Sequence, residues 1–198
     1  VVLDKTGTVT LGTLSVLSIN PVEGIEEMDL LDAAGSCGHG SLHPVSRAAV
    51  AAARDAGIEP NPPSTLREEA GKGVEAETDK GLLRMGRASW LVESGLRVEE
   101  ATSATGIAVH IARDEAVLGW LELADTPRPE AAQTLQGIRD LGAKRLVLLT
   151  GDRERVAAEV AEQLGFDAYE AEVLPERKAE LVAEEQAAGR RVMMVGDG

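Results

Sequence analysis

The sequence is poor in aromatic residues and in cysteine, and basic residues are outnumbered by acidic ones. Only 2% of its 198 residues are aromatic, which excludes a stacking platform for nucleic-acid bases. The 20 Lys and Arg stand against 34 Asp and Glu, a formal net charge of −14 that disfavours nucleic acid and anionic membrane surfaces as partners. The single cysteine, Cys37, excludes an internal disulfide and a thiolate-cluster metal site.

Long hydrophobic runs are also missing. No apolar segment is long enough to span a bilayer, and no signal peptide is recognisable. The composition, 43% hydrophobic and 27% charged, is typical of a folded globular chain, and the length fits one large domain or two small ones. Both ends fall inside strand-plus-loop units, so we expect an excised piece of a longer protein.

Three apolar segments end in polar loops that carry aspartate. The first runs into Asp4, the second into "TGD" at 150–152 and the third into "GDG" at 196–198. Segments with helical periodicity lie between them, at 129–142, 153–165 and 175–189. This alternation predicts an α/β fold with a doubly wound parallel sheet. Ligands of such sheets bind at the carboxyl ends of the strands, so we expect the three loops to converge on one site.

The middle of the chain has a different pattern. Two helix-like segments and several short strands predict an α+β block inserted after the first strand, which divides the chain into domains 1–12 plus 119–198 and 13–118. Ser41 is the expected N-cap of a helix that has Pro44 in its first turn. His110 alternates with apolar residues in "IAVHIA", which predicts a position on the solvent face of a strand.

The residues of the three loops favour phosphoryl transfer. Asp4 offers a carboxylate nucleophile that could form an acyl phosphate, and Asp197 offers a second carboxylate. Two acids beside one phosphate require a cation, and hard oxygen ligands favour Mg²⁺. Thr150 would contribute a hydroxyl and a backbone N–H to the phosphate oxygens, and Lys178 a positive charge.

Thr6 stands two residues after the proposed nucleophile. A carboxylic acid at that place could serve as general acid and then activate water against the acyl phosphate. Threonine cannot act in this way, so we expect the phosphoenzyme to persist. A persistent phosphoenzyme suits a protein that couples phosphorylation to a motion.

These motifs together resemble the P-type ATPase set within the haloacid dehalogenase superfamily. The matching segments are "DKTGT" (4–8), "TGD" (150–152), "PERK" (175–178) and "GDG" (196–198), with "DTPRPE" (125–130) similar to a further phosphorylation-domain segment. The resemblance implies a haloacid-dehalogenase-like phosphorylation domain in which Asp4, the backbone carbonyl of Thr6, and Asp197 bind Mg²⁺. It also implies ATP contacts from these residues: Lys5, Thr8, Gly151, Asp152, Asp125 and Arg128.

The inserted block is similar to the nucleotide-binding domain of heavy-metal-transporting P-type ATPases. "SLHPVSRA" (41–48), "GKGV" (71–74) and "RMGRASWL" (84–91) carry this resemblance. It implies an adenine pocket lined by His43, Pro44, Gly71, Gly73 and Gly86, in which glycines let a flat base approach the backbone. The sequence departs from the family in having Gly38 at a usual glutamate position and Leu42 in place of the acid before the histidine.

The resemblance implies partners outside this chain as well. The expected protein uses ATP with Mg²⁺ and transports a metal ion bound by a membrane domain that is not in this chain. The chain would be a cytoplasmic domain of a bacterial inner-membrane protein and would work with the actuator domain of the same protein, without nucleic acid. The identity of the ion and the direction of transport depend on membrane helices.

Two other functions remain open from the sequence: a soluble phosphatase of the same superfamily and a nucleotide-binding module without chemistry. Single residues also have structural alternatives. Asp4 could be a turn or cap aspartate, 150–152 a strand-ending turn, Lys178 a solvated helix residue and His43 a polar helix start. For Cys37 a structural role is favoured over a soft-metal site with His39.

Overall fold

The computed structural model describes residues 1–99, 101 and 106–196, apart from the side chains at positions 175, 176 and 178. Two compact units make up the chain: Val1–Thr13 with Asp125–Gly198, and Leu14–Ala124. The sequence places these boundaries at 12/13 and 118/119. In the structure the strand that leads out of the inserted unit continues without a break from Ala116 to Pro127, past the second of these positions.

Strands and helices follow the predicted order along the chain. The strands are β1 (Val2–Asp4), β2 (Thr10–Pro21), β3 (Thr65–Glu69), β4 (Gly73–Thr78), β5 (Gly81–Gly86), β6 (Ile107–Arg113), β7 (Ala116–Pro127), β8 (Val147–Leu149), β9 (Ala168–Glu170) and β10 (Met194–Val195). The helices are α1 (Glu27–Gly38), α2 (Pro44–Asp55), α3 (Ala88–Glu93), α4 (Ala131–Asp140), α5 (Glu154–Leu164) and α6 (Pro175–Ala187).

The first unit contains the predicted parallel sheet. Its strand order is β10-β1-β8-β9, so the three strands that end in Asp-bearing loops are direct neighbours. The register pairs Leu3 with Val195 and Asp4 with Leu149. Strand β9, a three-residue segment with no marked apolar run, was not predicted from the sequence. Leu3, Leu135, Leu146 and Leu148 belong to the core of this unit, beneath helices α4 and α5.

The second unit is an antiparallel sheet with the order β2-β7-β6-β5-β4-β3. Helices α1 and α2 pack together, and α1 lies against β4, β5 and β6 to form the main core. A separate small cluster holds Trp90 and Leu91 of α3 with Leu96 and Ala112. The α+β character predicted for the inserted block is therefore confirmed, and both faces of the central strands are covered.

Two local predictions in this unit are wrong. His110 is only 3% exposed rather than on the solvent face, and its ring centroid lies 6.5 Å from that of Trp120. The alternation in β6 is real, but the second face of this strand is covered too, so a polar residue there is buried. The N-cap of α2 is His43 rather than Ser41, although Pro44 does occupy the first turn.

No helix in the described part of the chain has both the length and the apolar character needed to cross a membrane.

Candidate functional site

Asp4 lies at the carboxyl end of β1, where the chain enters a wide turn. Its Oδ1 accepts a hydrogen bond from the N–H of Lys5 at 2.9 Å, and its side chain is half-buried. The turn Lys5–Val9 is closed by a bond from the N–H of Thr10 to the Lys5 carbonyl. Gly7 has a φ of 75°, a left-handed conformation that a glycine adopts without strain. Thr6, at the start of this turn, is exposed.

Asp125 and Arg128 hold the turn from outside. Asp125 accepts bonds from the Thr10 hydroxyl through Oδ2 and from the Gly12 N–H through Oδ1, the latter at 3.0 Å. Arg128 donates from its guanidinium to the carbonyls of Gly7 and Thr8, each at 3.0 Å. Asp125 and Arg128, which the family resemblance assigned to ATP contacts, thus form hydrogen bonds with the turn that follows Asp4.

Lys5 joins two of the three predicted loops. Its side chain is buried, and its Nζ lies 2.7 Å from Oδ2 of Asp152 and 3.8 Å from Oδ2 of Asp125. Both Lys5 and Asp152 were expected to contact ATP. In the structure this pair connects the Asp4 turn to the 150–152 loop, so its direct effect is to fix the distance between these two loops.

Thr150 directly follows strand β8 and is 2% exposed. Its Oγ1 accepts a bond from the N–H of Asp152 at 3.1 Å, which leaves the hydroxyl proton to donate elsewhere. The expected use of its backbone N–H is wrong, because that group donates to the carbonyl of Glu170 in the neighbouring strand at 3.0 Å. Gly151, the next residue, is exposed at the same edge of the sheet.

The third loop approaches Asp4 through Gly196. A Cβ built on Gly196 would lie 3.6 Å from the Cβ of Asp4, so this backbone passes directly beside the candidate nucleophile. Asp197 follows it but lies outside the described residues. Lys178 is in the first turn of α6, and its side chain is likewise outside the described part.

The predicted magnesium ligands are the carboxylates of Asp4 and Asp197 and the carbonyl of Thr6, oxygen donors of the type that suits Mg²⁺. No group of three or more His, Cys, Asp or Glu side chains arranged for a metal occurs among residues 1–99, 101 and 106–196. Of the three predicted magnesium ligands, Asp4 and Thr6 are among the described residues, and Asp197 is not.

A cavity of about 380 Å³ lies within the second unit. It brings together residues from three separate segments of the sequence, His43, Gly71 with Gly73, and Gly86, which were all predicted to contact adenine. Its other walls are mainly aliphatic. They include Val45, Val74, Met85, Ile107 and Val109. Pro44, the fifth predicted residue, begins α2 next to His43 and is exposed.

The three cavity positions 71, 73 and 86 are occupied by glycine for different structural reasons. Gly71 has a φ of 73°, and nothing lies within 4 Å of the position of its missing Cβ. Gly73 and Gly86 are paired across β4 and β5, and a Cβ on either would meet backbone and the Trp90 ring at less than 3.0 Å. Gly71 therefore agrees with the expectation that a missing side chain leaves space for the base. Gly73 and Gly86 are glycines for another reason, since the two strands and the indole of Trp90 pack too closely for a side chain.

The packing around Gly38 explains why this chain has glycine where the family usually has glutamate. Gly38 lies buried in α1, where a Cβ would be 2.9 Å from the carbonyl oxygen of Ser46 in α2. The two helices approach too closely there for any side chain. An acid could be placed at position 38 only if the helices moved apart, so we do not expect Gly38→Glu to improve nucleotide binding.

Several residues around the cavity were not predicted. Lys72 and Arg87 flank the glycines in "GKGV" and "MGRA", which was the sequence signal that could have found them. Lys72 Nζ lies 3.2 Å from Glu93 and 3.7 Å from Glu69, and its hydrogen bond to Glu93 raises the pKa of the ammonium. The Oγ of Ser46 is buried beside the cavity and has no hydrogen-bond partner in the part of the chain that is described.

His43 and Cys37 have clear local roles. The Nδ1 of His43 accepts the N–H of Val45 at 3.3 Å and caps α2, so its exposed ring is held at the rim of the cavity. Cys37 is fully buried, and burial raises the pKa of its thiol to about 12. A thiol that stays protonated is a poor metal ligand, which agrees with the structural role favoured from the sequence.

Comparison with known proteins identifies a family over the whole length. Residues 1–198 match the family described as haloacid dehalogenase-like hydrolase. The chain is 36% identical over 199 residues to a probable copper-transporting ATPase, SynA, of Synechococcus, and 35% identical over 207 residues to a zinc-exporting P-type ATPase of Mycobacterium marinum. The whole chain is aligned in both cases, but it spans only 25% and 28% of the lengths of those proteins.

A solved structure with the same fold supports this relationship. The chain superposes in full on 32% of the crystal structure of a zinc-transporting PIB-type ATPase, with a TM-score of 0.84 and 33% identity. A catalytic domain of the CPx-ATPase CopB-B superposes with a TM-score of 0.72 at 24% identity, which bears on the fold alone. The predicted fold class, a haloacid-dehalogenase-like unit with an inserted α+β unit, is confirmed.

Proposed function

The chain belongs to the haloacid dehalogenase-like hydrolase family, and we propose that it is the ATP-binding and autophosphorylating region of a heavy-metal-transporting P-type ATPase. Its relatives named above are metal-transporting P-type ATPases that align with all of it. Because it spans about a quarter of their length, transport, the transported ion and the membrane location belong to the proposal.

One observation carries the catalytic part of the proposal. Neighbouring strands β10, β1 and β8 deliver Gly196, Asp4 and Thr150 to the same edge of one parallel sheet. Ligands of such sheets bind at this edge. A turn cap would explain Asp4 alone, and a strand-ending turn would explain Thr150 alone, but neither explains why the three motifs adjoin.

The proposed chemistry is nucleophilic. A carboxylate oxygen of Asp4 attacks the γ-phosphorus of ATP, the bond from phosphorus to the ADP oxygen breaks, and ADP leaves with its electron pair. The hydroxyl of Thr150 and the ammonium of Lys178 stabilise the phosphoryl oxygens in this transfer. Water later attacks phosphorus, which releases phosphate and restores Asp4.

The surroundings of Asp4 favour positioning over acid–base chemistry. Lys5, Asp152, Asp125 and Arg128 tie the turn to its neighbours, so the nucleophile starts from a fixed place. Asp4, the Thr6 carbonyl and Asp197 would hold Mg²⁺, which supplies charge neutralisation at the phosphate oxygens when bound.

We assign the cavity in the second unit to the adenine ring. Its mainly aliphatic walls suit the faces of a flat purine ring, and its volume of about 380 Å³ lies within the range of small-ligand sites. Its charged lining residues are Glu68, Glu69, Lys72 and Arg87, and the two cations would face the phosphates. In the whole protein the transported ion would bind to a membrane domain, and an actuator domain would act on the phosphorylated form from the cytoplasmic side.

Labelling with γ-labelled ATP and Mg²⁺ tests the catalytic part. We expect an acid-stable, hydroxylamine-labile phosphoprotein that is absent in Asp4→Asn and retained in Asp29→Asn, an exposed carboxylate in α1. Label that persists in Asp4→Asn would contradict the assignment of the nucleophile. Rapid release of phosphate without a detectable phosphoprotein would favour a phosphatase, and ATP binding without either would favour a non-catalytic module.

A further inference from the structure

The indole of Trp90 takes the place of two absent side chains. Gly73 and Gly86 face each other across β4 and β5. A Cβ built on Gly73 would be 2.7 Å from Cζ3 of Trp90, and one built on Gly86 would be 2.7 Å from its Cε3. Real Cβ contacts do not come so close, so the ring packs directly on both glycine α-carbons.

Trp90 reaches this pair from the face of the sheet opposite to the cavity. Val74 and Met85, the neighbours of the glycines in their strands, line the cavity and belong to the core beneath α1 and α2. Because side chains alternate along a strand, the glycines direct their missing side chains the other way. Trp90, 5% exposed, belongs to the separate cluster on that face and does not line the cavity.

The position of Trp90 is tied to the rim of the cavity through the backbone. Helix α3 starts just after Gly86. The N–H of Arg87 donates to the carbonyl of Lys72 at 3.0 Å, and the N–H of Trp90 donates to the carbonyl of Arg87 at 3.1 Å. Lys72 and Arg87 both line the cavity, so the turn that delivers the indole also joins two cavity residues.

From this packing we propose that Trp90 is a positioning residue for the nucleotide base. This inference rests on the proposed assignment of the cavity to adenine. The two glycines have wide backbone freedom of their own, and the ring behind them removes it. Loss of the ring would leave a void into which the strands relax, and the cavity wall made by Gly73 and Gly86 would recede from the base.

The test separates base recognition from phosphate recognition. Isothermal titration of the whole chain with ATP and with tripolyphosphate measures how much the base contributes to binding. We expect Trp90→Leu to weaken ATP binding roughly tenfold, a change of about 1.4 kcal/mol, and to leave tripolyphosphate binding unchanged. Trp90→Phe, which keeps an aromatic ring behind the glycines, should recover most of the preference for ATP.

Leu91→Ala is the matched control. Leu91 is the fully buried neighbour of Trp90 in the same cluster. Truncation there should lower the melting temperature without changing the ratio of the two dissociation constants. A purely structural role of Trp90 predicts instead that Trp90→Leu and Leu91→Ala behave alike, and this result would overturn the proposal.

Two further results have defined meanings. If the parent chain binds ATP no better than tripolyphosphate, the adenine assignment fails and this inference fails with it. If the parent prefers ATP and Trp90→Leu keeps that preference, only the role of Trp90 is refuted.

Should Trp90→Leu not fold, the Trp120→Phe chain, in which Trp90 is the one tryptophan, replaces it. Its emission should change with ATP and not with tripolyphosphate, and unchanged emission at saturating ATP would refute the proposal.

Discussion

At the scale of single residues, we propose that Thr6 stands where a general base could act on phosphorylated Asp4. It is exposed two residues after Asp4. General acid–base catalysis contributes about 10²–10⁴-fold to such reactions. We therefore expect Thr6→Asp to shorten the lifetime of the phosphoenzyme, measured by a chase of labelled protein with unlabelled ATP. Thr6→Asn, similar in size but without a titratable group, serves as the control. Decay of normally phosphorylated Thr6→Asp at the parent rate would show that this residue does not set the lifetime.

His110 links burial to the pH dependence of stability. Burial lowers the pKa of its imidazole, and the backbone of Glu99 acts more weakly in the opposite direction. The unfolded chain, with an ordinary histidine pKa of about 6.5, therefore binds more protons than the folded chain just below that pH. The free energy of unfolding should fall as the pH is lowered from about 6.5 towards the folded-state value, by at most about 1.4 kcal/mol per pH unit.

Urea unfolding followed by tryptophan fluorescence measures this effect. In His110→Leu the slope of stability against pH in this window should become flatter. His39→Gln, a change at a half-buried histidine in the same unit, controls for the loss of a histidine. If the parent and His110→Leu have equal slopes between about pH 5.5 and 7, His110 does not carry the dependence.

At the scale of helices and strands, α1 and α2 are held together by small residues. A Cβ on Gly35 would lie 2.8 Å from the Cβ of Ala53, and a Cβ on Gly38 would lie 2.9 Å from the Ser46 carbonyl. Neither glycine has a positive φ, so close packing rather than backbone conformation requires them. This contact positions the start of α2, and with it His43, relative to the strands of the cavity.

Gly38→Ala tests this packing. Alanine forms helices better than glycine, yet the added methyl should lower the free energy of unfolding by about 1–3 kcal/mol because the helices must separate. Gly137→Ala in α4 is the control, since nothing lies within 4 Å of its Cβ position. There the same exchange should raise stability by about 0.5–1 kcal/mol. Stabilisation by both variants in urea titrations would mean that the α1–α2 contact tolerates a side chain.

At the scale of the whole molecule, the two units carry different fluorophores. Trp90 and Trp120, the two tryptophans, lie in the unit Leu14–Ala124, whereas Tyr169, the single tyrosine, lies in the other. Tryptophan emission therefore reports the unfolding of the cavity-bearing unit. With adenine bound there, ATP at about 100 times its dissociation constant should stabilise that unit by about 2.7 kcal/mol.

Two glycine variants make this measurement specific. Gly71 and Gly57 both have a positive φ and open space at the Cβ position, but only Gly71 lines the cavity. Gly71→Asp should abolish the stabilisation by ATP because the new side chain occupies the cavity. Gly57→Asp should introduce similar backbone strain but retain the stabilisation by ATP. Equal stabilisation of both variants would place the base elsewhere.

Local patterns in the sequence were enough to predict the order of most elements and the parallel arrangement of β1, β8 and β10, whereas the cavity residues were predicted from the family resemblance. Helical periodicity, apolar runs and turn residues each act over a few positions, so they are visible without a structure. The loop motifs at 4–8 and 150–152 could be read in the same way. Strand β9 was missed because a three-residue segment has too little periodicity to show.

Which groups face each other could be learned only from the folded chain. In the folded chain His110 is buried, and the N–H of Thr150 donates a hydrogen bond to the carbonyl of Glu170. The ammonium of Lys5 pairs with Asp152, and the indole of Trp90 packs against two glycines. Each of these contacts joins segments distant along the chain or depends on what covers the second face of a sheet. A local pattern specifies the direction of a side chain within its element, but its neighbours depend on how whole elements pack, because close packing leaves only certain approaches open.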